Sequence, residues 1–195
     1  VIKRFLFVLL LAASPVEAAT YHISTTGNDA NDGLSVAAAW ATFSHADSVL
    51  APGDTLLIED GTYDQHIFTT HSGTAEGGYI TYKAQHDFQA VLAPTVDTGH
   101  STIAVFSCPG CSGNFNNPVQ SYIKFEGLIS RSIGELSALS LYSRDDATVE
   151  QMTHHITVKN CGFFGSAQET NSPVIELGNN LRDSLIEDVF SYGKS

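Results

Sequence analysis

Three short segments constrain this chain more than its composition does. Set in register, residues 122–130 (YIKFEGLIS), 155–163 (HITVKNCGF) and 184–192 (SLIEDVFSY) share one pattern: apolar, charged, then Gly, Asn or Asp, then apolar again. The third position of each quartet is Gly127, Asn160 or Asp188. These residue types tolerate the left-handed helical region of the backbone. One such residue turns a strand sharply, and the next strand resumes the same inward row. The polar break inside ITVKNCGFFG (156–165) is therefore a corner, with Lys159 directed at solvent.

A second series precedes the last two corners. In ALSLYS (138–143) and VIELG (174–178), Leu139 and Leu141 match Ile175 and Leu177 as inward residues. Ser140, Tyr142 and Glu176 are left outward by the period of two. Each repeat thus reads as strand, loop, strand, corner, strand, and matching strands in successive repeats predict stacked parallel sheets. The fold expected is all-β, a parallel β-helix. Glu126, Lys159 and Glu187 fall in one outward column of alternating sign, which favours this stacking over a substrate role.

Solenoids have open ends. Residues 37–51 place Trp40, Phe43, Ala46, Val49 and Leu50 near helical spacing, and Pro52 with Gly53 ends the run. An N-terminal capping α-helix over the first coil is the expectation. At the other end FSYGKS follows a strand directly, with no capping segment, so the chain is expected to be incomplete after Ser195. The expected organisation is 1–18 signal peptide, 19–53 opening strand and capping helix, and 54–195 β-helix coils.

The signal-peptide reading rests on Lys3 and Arg4, an apolar run at 5–13, and Val16-Glu17-Ala18 as a cleavage pattern. A membrane anchor is the alternative, but spanning takes about 20 apolar residues. Cleavage takes Lys+Arg from 9 to 7 and Asp+Glu from 21 to 20, a net charge of −13. Such a surface repels nucleic acid and anionic lipid, so neither is an expected partner. Export, secreted or periplasmic, permits a disulfide, and Cys108-Pro-Gly-Cys111 can close on itself across a turn. Free thiols and redox or metal chemistry are the alternatives there. Cys161 reads as core.

The stretch 21–63, YHISTTGNDANDGLSVAAAWATFSHADSVLAPGDTLLIEDGTY, resembles the N-terminal region of secreted right-handed parallel β-helix proteins of the pectate-lyase-like superfamily. It has the opening strand, the Gly-Asn-Asp…Asn-Asp-Gly turn, the capping helix and the strand TLLIEDGTY. Ala39 stands where Pro is expected. HHITVKNCGFFG and LRDSLIEDVFSYG resemble this group's internal coils.

The resemblance implies a right-handed β-helix acting on polysaccharide, foremost a lyase that cleaves uronate-containing chains by β-elimination. It also implies a Lys or Arg base and Ca²⁺ held by carboxylates. The residues that could serve are Arg144 as base, Asp145, Asp146 and Glu176 as metal ligands, and Tyr142 with Arg144 as substrate contacts. An acidic polysaccharide is the partner so implied. A hydrolase built on Glu176 with Asp145 or Asp146 is a lesser alternative. A non-catalytic carbohydrate-binding or surface-structural β-helix is the other main reading.

Other motifs carry less. GNDANDG (27–33) lacks the ligand spacing of a calcium loop and reads as a turn. His154 and His155, adjacent in a strand, should point to opposite faces and chelate poorly. His66 and His71 lack a convincing third ligand. Tyr79, Tyr142 and Tyr192 could stack on sugar rings, whereas Tyr82 should face inward in register with Phe125.

Overall fold

The computed structural model describes residues 17–111, 116–166, 173–178 and 180–193. The expected signal peptide lies almost wholly outside the described residues. The described residues wind through six coils. The first supplies β1 (Thr20–Ile23); the second β2 (Thr55–Ile58), β3 (Gly61–Tyr63) and β4 (Ile67–Phe68). The third holds β5 (Ile80–Ala84), β6 (Ala90–Leu92) and β7 (Ile103–Ser107). The fourth holds β8 (Ser121–Glu126), β9 (Ile129–Arg131) and β10 (Leu139–Ser143). The fifth holds β11 (Thr153–Lys159), β12 (Gly162–Phe164) and β13 (Ile175–Leu177). The last holds β14 (Leu181–Arg182), β15 (Leu185–Glu187) and β16 (Phe190–Tyr192).

Equivalent strands of successive coils form three parallel sheets. The first runs β1-β2-β5-β8-β11, with β14 and β15 both pairing β11; the second runs β3-β6-β9-β12-β16; the third runs β4-β7-β10-β13. This is an all-β parallel β-helix. Its core is a set of inward columns: Leu56, Tyr82, Phe125 and Val158 are in register and fully buried, and Tyr82 stacks on Phe125 at 5.2 Å.

The corners form as the sequence predicts. Gly127, Asn160 and Asp188 have φ of 77°, 53° and 53°. The inter-coil ladder continues through them, with Gly127 N–H donating to Lys159 C=O and Asn160 N–H to Glu187 C=O, each at 3.2 Å. One inward residue follows each corner, and Leu128 and Cys161 are fully buried there. Burial pushes the Cys161 thiol up to about 11.

The charged column gains a member. Lys83 pairs in register with Glu126, so the order is Lys83, Glu126, Lys159, Glu187. Lys83 Nζ lies 3.2 Å from Glu126 Oε1, Lys124 Nζ 2.6 Å from Oε2, and Lys159 Nζ 3.0 Å from Glu187 Oε1.

The N-terminal cap differs from the helix expected over 37–51. Helix α1 spans only Phe43–Val49, after a 3₁₀ turn at Val36–Ala38. Between them Trp40 is extended, its N–H donating to His22 C=O at 2.9 Å and its C=O accepting from Ser24 N–H at 3.0 Å. That bridge to the opening strand outweighs helical propensity. Thr42 then caps α1, its hydroxyl accepting from His45 N–H. Trp40, Phe43, Ala46 and Leu50 are buried as expected, but Val49 is 41% exposed. Within 27–33, the Asp29 carboxylate accepts from Ala41 N–H, Thr42 N–H and the Thr42 hydroxyl, tying that turn to the cap. The last coil is the least covered described part, with Phe190 at 45% and Tyr192 at 71% exposure.

Candidate functional site

The outer face of the third sheet gathers most of the outward residues named above. Its strands alternate sides, so residues on equivalent rungs form rows across the coils. Phe68, Ala104, Ser140 and Glu176 make one row. The next outward row contains Phe106 and Tyr142, which stack at 4.5 Å and 30°. One coil further on, Leu177 opposes Leu141, which places Gly178 opposite Tyr142. A Cβ at Gly178 would collide with Tyr142. Phe68 stacks on His100 at 4.6 Å, extending the aromatic surface toward the cap.

A relay of hydroxyls runs beside these rings. Ser140 Oγ donates to Glu176 Oε2 at 2.7 Å and lies 2.7 Å from Ser101 Oγ, which is thereby left to donate to Ser140. Gly99, His100, Ser101, Ala104, Leu136, Ser140, Tyr142 and Glu176 line a cleft of about 140 Å³. Burial first, and then the Glu176 carboxylate, push the Tyr142 phenol above its usual range, so it remains a neutral donor at ordinary pH. A second cleft of about 260 Å³ opens toward the cap, between Ser44, Asp47 and Ser48 on one side and His66, Phe68 and Thr70 on the other.

Asp47 sits at the base of that second cleft and is 5% exposed. It accepts from the Thr70 N–H and hydroxyl, from the Tyr82 hydroxyl at 3.1 Å, and faces His71 Nδ1 at 3.2 Å. A carboxylate so fully occupied holds the cap onto the coils. Glu176 lies three strands away across the third sheet, roughly 14 Å at the usual strand spacing.

The expected metal ligands are not brought together. Asp146 faces Arg144, whose Nε donates to Oδ1 at 2.6 Å while Nη2 contacts Oδ2. That guanidinium holds the Asp146 carboxyl below the usual carboxylate range. Asp145 enters through its backbone C=O, which accepts from Asn180 Nδ2 at 3.2 Å. Glu176 is beside Ser140, three residues before the end of β10 at Ser143, or about 10 Å along the strand. Among the described residues no group of three or more His, Cys, Asp or Glu side chains is placed to hold a metal ion. Ca²⁺ needs six to eight oxygens, several from carboxylates, and this donor set does not fit it.

The two adjacent histidines also differ from expectation. His155 has φ of 53°, which turns its ring to the side of His154 and sets the two Nδ1 atoms 2.7 Å apart. The same backbone twist occurs at Tyr122 one coil back and at Asp183 one coil on. Tyr122 stacks on His155 at 4.5 Å. Cys108 and Cys111 are joined across Pro109 and Gly110, with Cα atoms 5.6 Å apart.

Each described Lys and Arg side chain contacts another residue. Lys83, Lys124 and Lys159 serve the column on the first sheet, and Arg182 contacts Asp183. Arg131 lies over the Phe164 ring at 4.9 Å, and Arg144 faces Asp146. Lys3, Arg4 and Lys194 are the other basic residues of the sequence and lie outside the described residues.

No protein family and no curated protein matches the sequence. Solved structures do. The GH136 lacto-N-biosidase from Eubacterium ramulus, as its selenomethionine derivative, superimposes with a TM-score of 0.55 at 16% identity. The match covers 89% of this chain and 34% of that one. The likeness is one of fold. Pectate lyase Pel9A matches at a TM-score of 0.43 and 18% identity, covering 82% of this chain and 46% of that one. A rhamnogalacturonan lyase matches at 0.43 and 13%, covering 90% and 66%.

His100 and Phe106 were not anticipated as neighbours of Tyr142 and Glu176, nor Phe68 as a member of the same row. Their signal was the alternation in HIF (66–68) and TIAVFS (102–107), which continues the rows of β10 and β13 back toward the cap.

Proposed function

We propose that this is an exported carbohydrate-active protein whose third-sheet outer face binds a polysaccharide chain, and that binding is the function its residues support best. The stacked Phe106 and Tyr142 beside the Ser140 and Glu176 relay carry this reading. Aromatic faces pack against the C–H faces of sugars, while hydroxyls and a carboxylate exchange hydrogen bonds with sugar hydroxyls. The fold is one that a lacto-N-biosidase also uses. Export follows from the sequence of residues 1–18, and an exported chain would keep Cys108 and Cys111 as a disulfide.

Cleavage is less well supported. A lyase would take Arg144 as base, but its guanidinium is engaged by Asp146. Hydrolysis needs two carboxyl groups about 5–9.5 Å apart, and of Glu176 with Asp145 or Asp146, Asp146 is engaged by Arg144 and Glu176 by Ser140. β-Elimination is the second reading, favoured by the resemblance of residues 21–63.

The test is retention in native gels cast with a panel of polysaccharides, run alongside an ultraviolet assay for unsaturated uronate products with and without Ca²⁺. Retention with no new absorbance is the expected result. Growth of absorbance on any uronate chain would replace binding with elimination.

A further inference from the structure

The binding face also indicates what kind of sugar it accepts; this rests on the polysaccharide-binding reading above. We infer that the cleft at Tyr142 takes a neutral pyranose unit and rejects uronates. Two observations of different kinds support this, one of shape and one of charge.

The shape concerns a single ring. Tyr142 lines the cleft with Phe106 stacked against its ring, and on the next coil the residue opposite it is Gly178. A Cβ there would collide with Tyr142. A half-buried aromatic ring backed by a second ring and lining a cleft is a platform for the axial C–H face of a pyranose, whose weakly positive hydrogens meet the negative ring face. The cleft of about 140 Å³ beside it is small against the roughly 300 Å³ or more of pockets that enclose a free ligand. It fits one unit of a chain lying across the face.

Charge then selects among pyranoses. The wall of this cleft carries the Glu176 carboxylate, with one oxygen already taken by Ser140 Oγ. Its other oxygen can only accept, which suits sugar hydroxyls. A uronate carboxylate in the same cleft would meet Glu176 well inside the screening length of about 8 Å at physiological salt. Among the described residues no Lys or Arg lines the cleft to offset the repulsion; its basic side chain is His100, and Arg144 faces Asp146. The whole chain adds a net charge of −12. A neutral chain pays none of this, so shape and charge point the same way.

The experiment measures affinity for a neutral β-glucan, galactan and mannan against polygalacturonate and alginate, in 150 mM salt, for the unaltered chain and for Tyr142→Ala and Glu176→Lys. At least one neutral chain should bind, with neither polyuronate retained. Tyr142→Ala should weaken that binding at least tenfold, with thermal unfolding followed to confirm that it is folded. Glu176→Lys, at an exposed position, should bring polyuronate retention into the measurable range. Polyuronate binding that Tyr142→Ala abolishes would overturn the sugar class while leaving the binding face intact. Neutral binding indifferent to Tyr142→Ala would overturn the placement. No retention by any chain would overturn the reading beneath both.

Discussion

The outer faces of the first and third sheets follow the same alternation, yet they end in different chemistry. On the first sheet, Lys83, Glu126, Lys159 and Glu187 stand in one column, each charge beside its opposite. On the third, Phe106 and Tyr142 stack without a polar complement, and Glu176 is met by a serine instead of a cation. The first face pairs its charges with one another, whereas the third holds stacked rings and a carboxylate met only by a hydroxyl. A solenoid can therefore divide structure from recognition by face, because every coil contributes one strand to each.

That division can be broken by substitution. Phe125→Ala, beneath the first sheet, removes the partner of Tyr82 from the fully buried column and should cost about 3–5 kcal/mol in urea unfolding. Polysaccharide affinity of the folded protein should not change, and a parallel loss would show that the faces are not independent. Asp47→Ala should cost about 2–3 kcal/mol, because it strands the buried Tyr82 hydroxyl and releases Thr70 from the cap. If stability holds, the cap is not pinned there. Gly127→Ala forces a side chain to φ of 77° and toward Asp87, at about 1–2 kcal/mol, whereas Asn160→Gly should be nearly neutral.

The smallest effect sharpens the contrast. Glu126→Gln should cost no more than about 1 kcal/mol, less at high salt. The hydrogen bond from Lys124, together with Lys83, holds the Glu126 carboxyl below the ordinary glutamate range. A depressed folded-state value means the contribution is complete above the unfolded-state value and disappears as pH falls through the folded one. The stability gap between the unaltered chain and the Gln variant should therefore close in acid. A gap that persisted there would point to packing instead of charge.

Fold was more legible than site. Gly127, Asn160 and Asp188 announce corners because the backbone demand falls on single residues whose types are diagnostic. Leu139 and Leu141 pair in register with Ile175 and Leu177 as expected, but Leu177, expected inward, is 52% exposed, because the last described coils offer it little to pack against. The helix over 37–51 was too long because one tertiary bridge at Trp40 outweighs local propensity. Asp145, Asp146 and Glu176 are near in coil number, yet a strand length and the Arg144 side chain keep them apart, which repeat spacing alone does not reveal. His154 and His155 misled because alternation assumes extended backbone, and φ of 53° at His155 breaks it. Asp47 was invisible as a structural carboxylate, since its partners Thr70 and Tyr82 are brought to it only when the coils close.

The alternating column also sets an arithmetic for how such a chain can lengthen or shorten. Excising or duplicating one coil between Lys83 and Glu187 would set two like charges side by side, whereas a change of two coils would keep every neighbour opposite in sign. Growth of this solenoid by whole repeats is therefore easier in even steps than in odd ones.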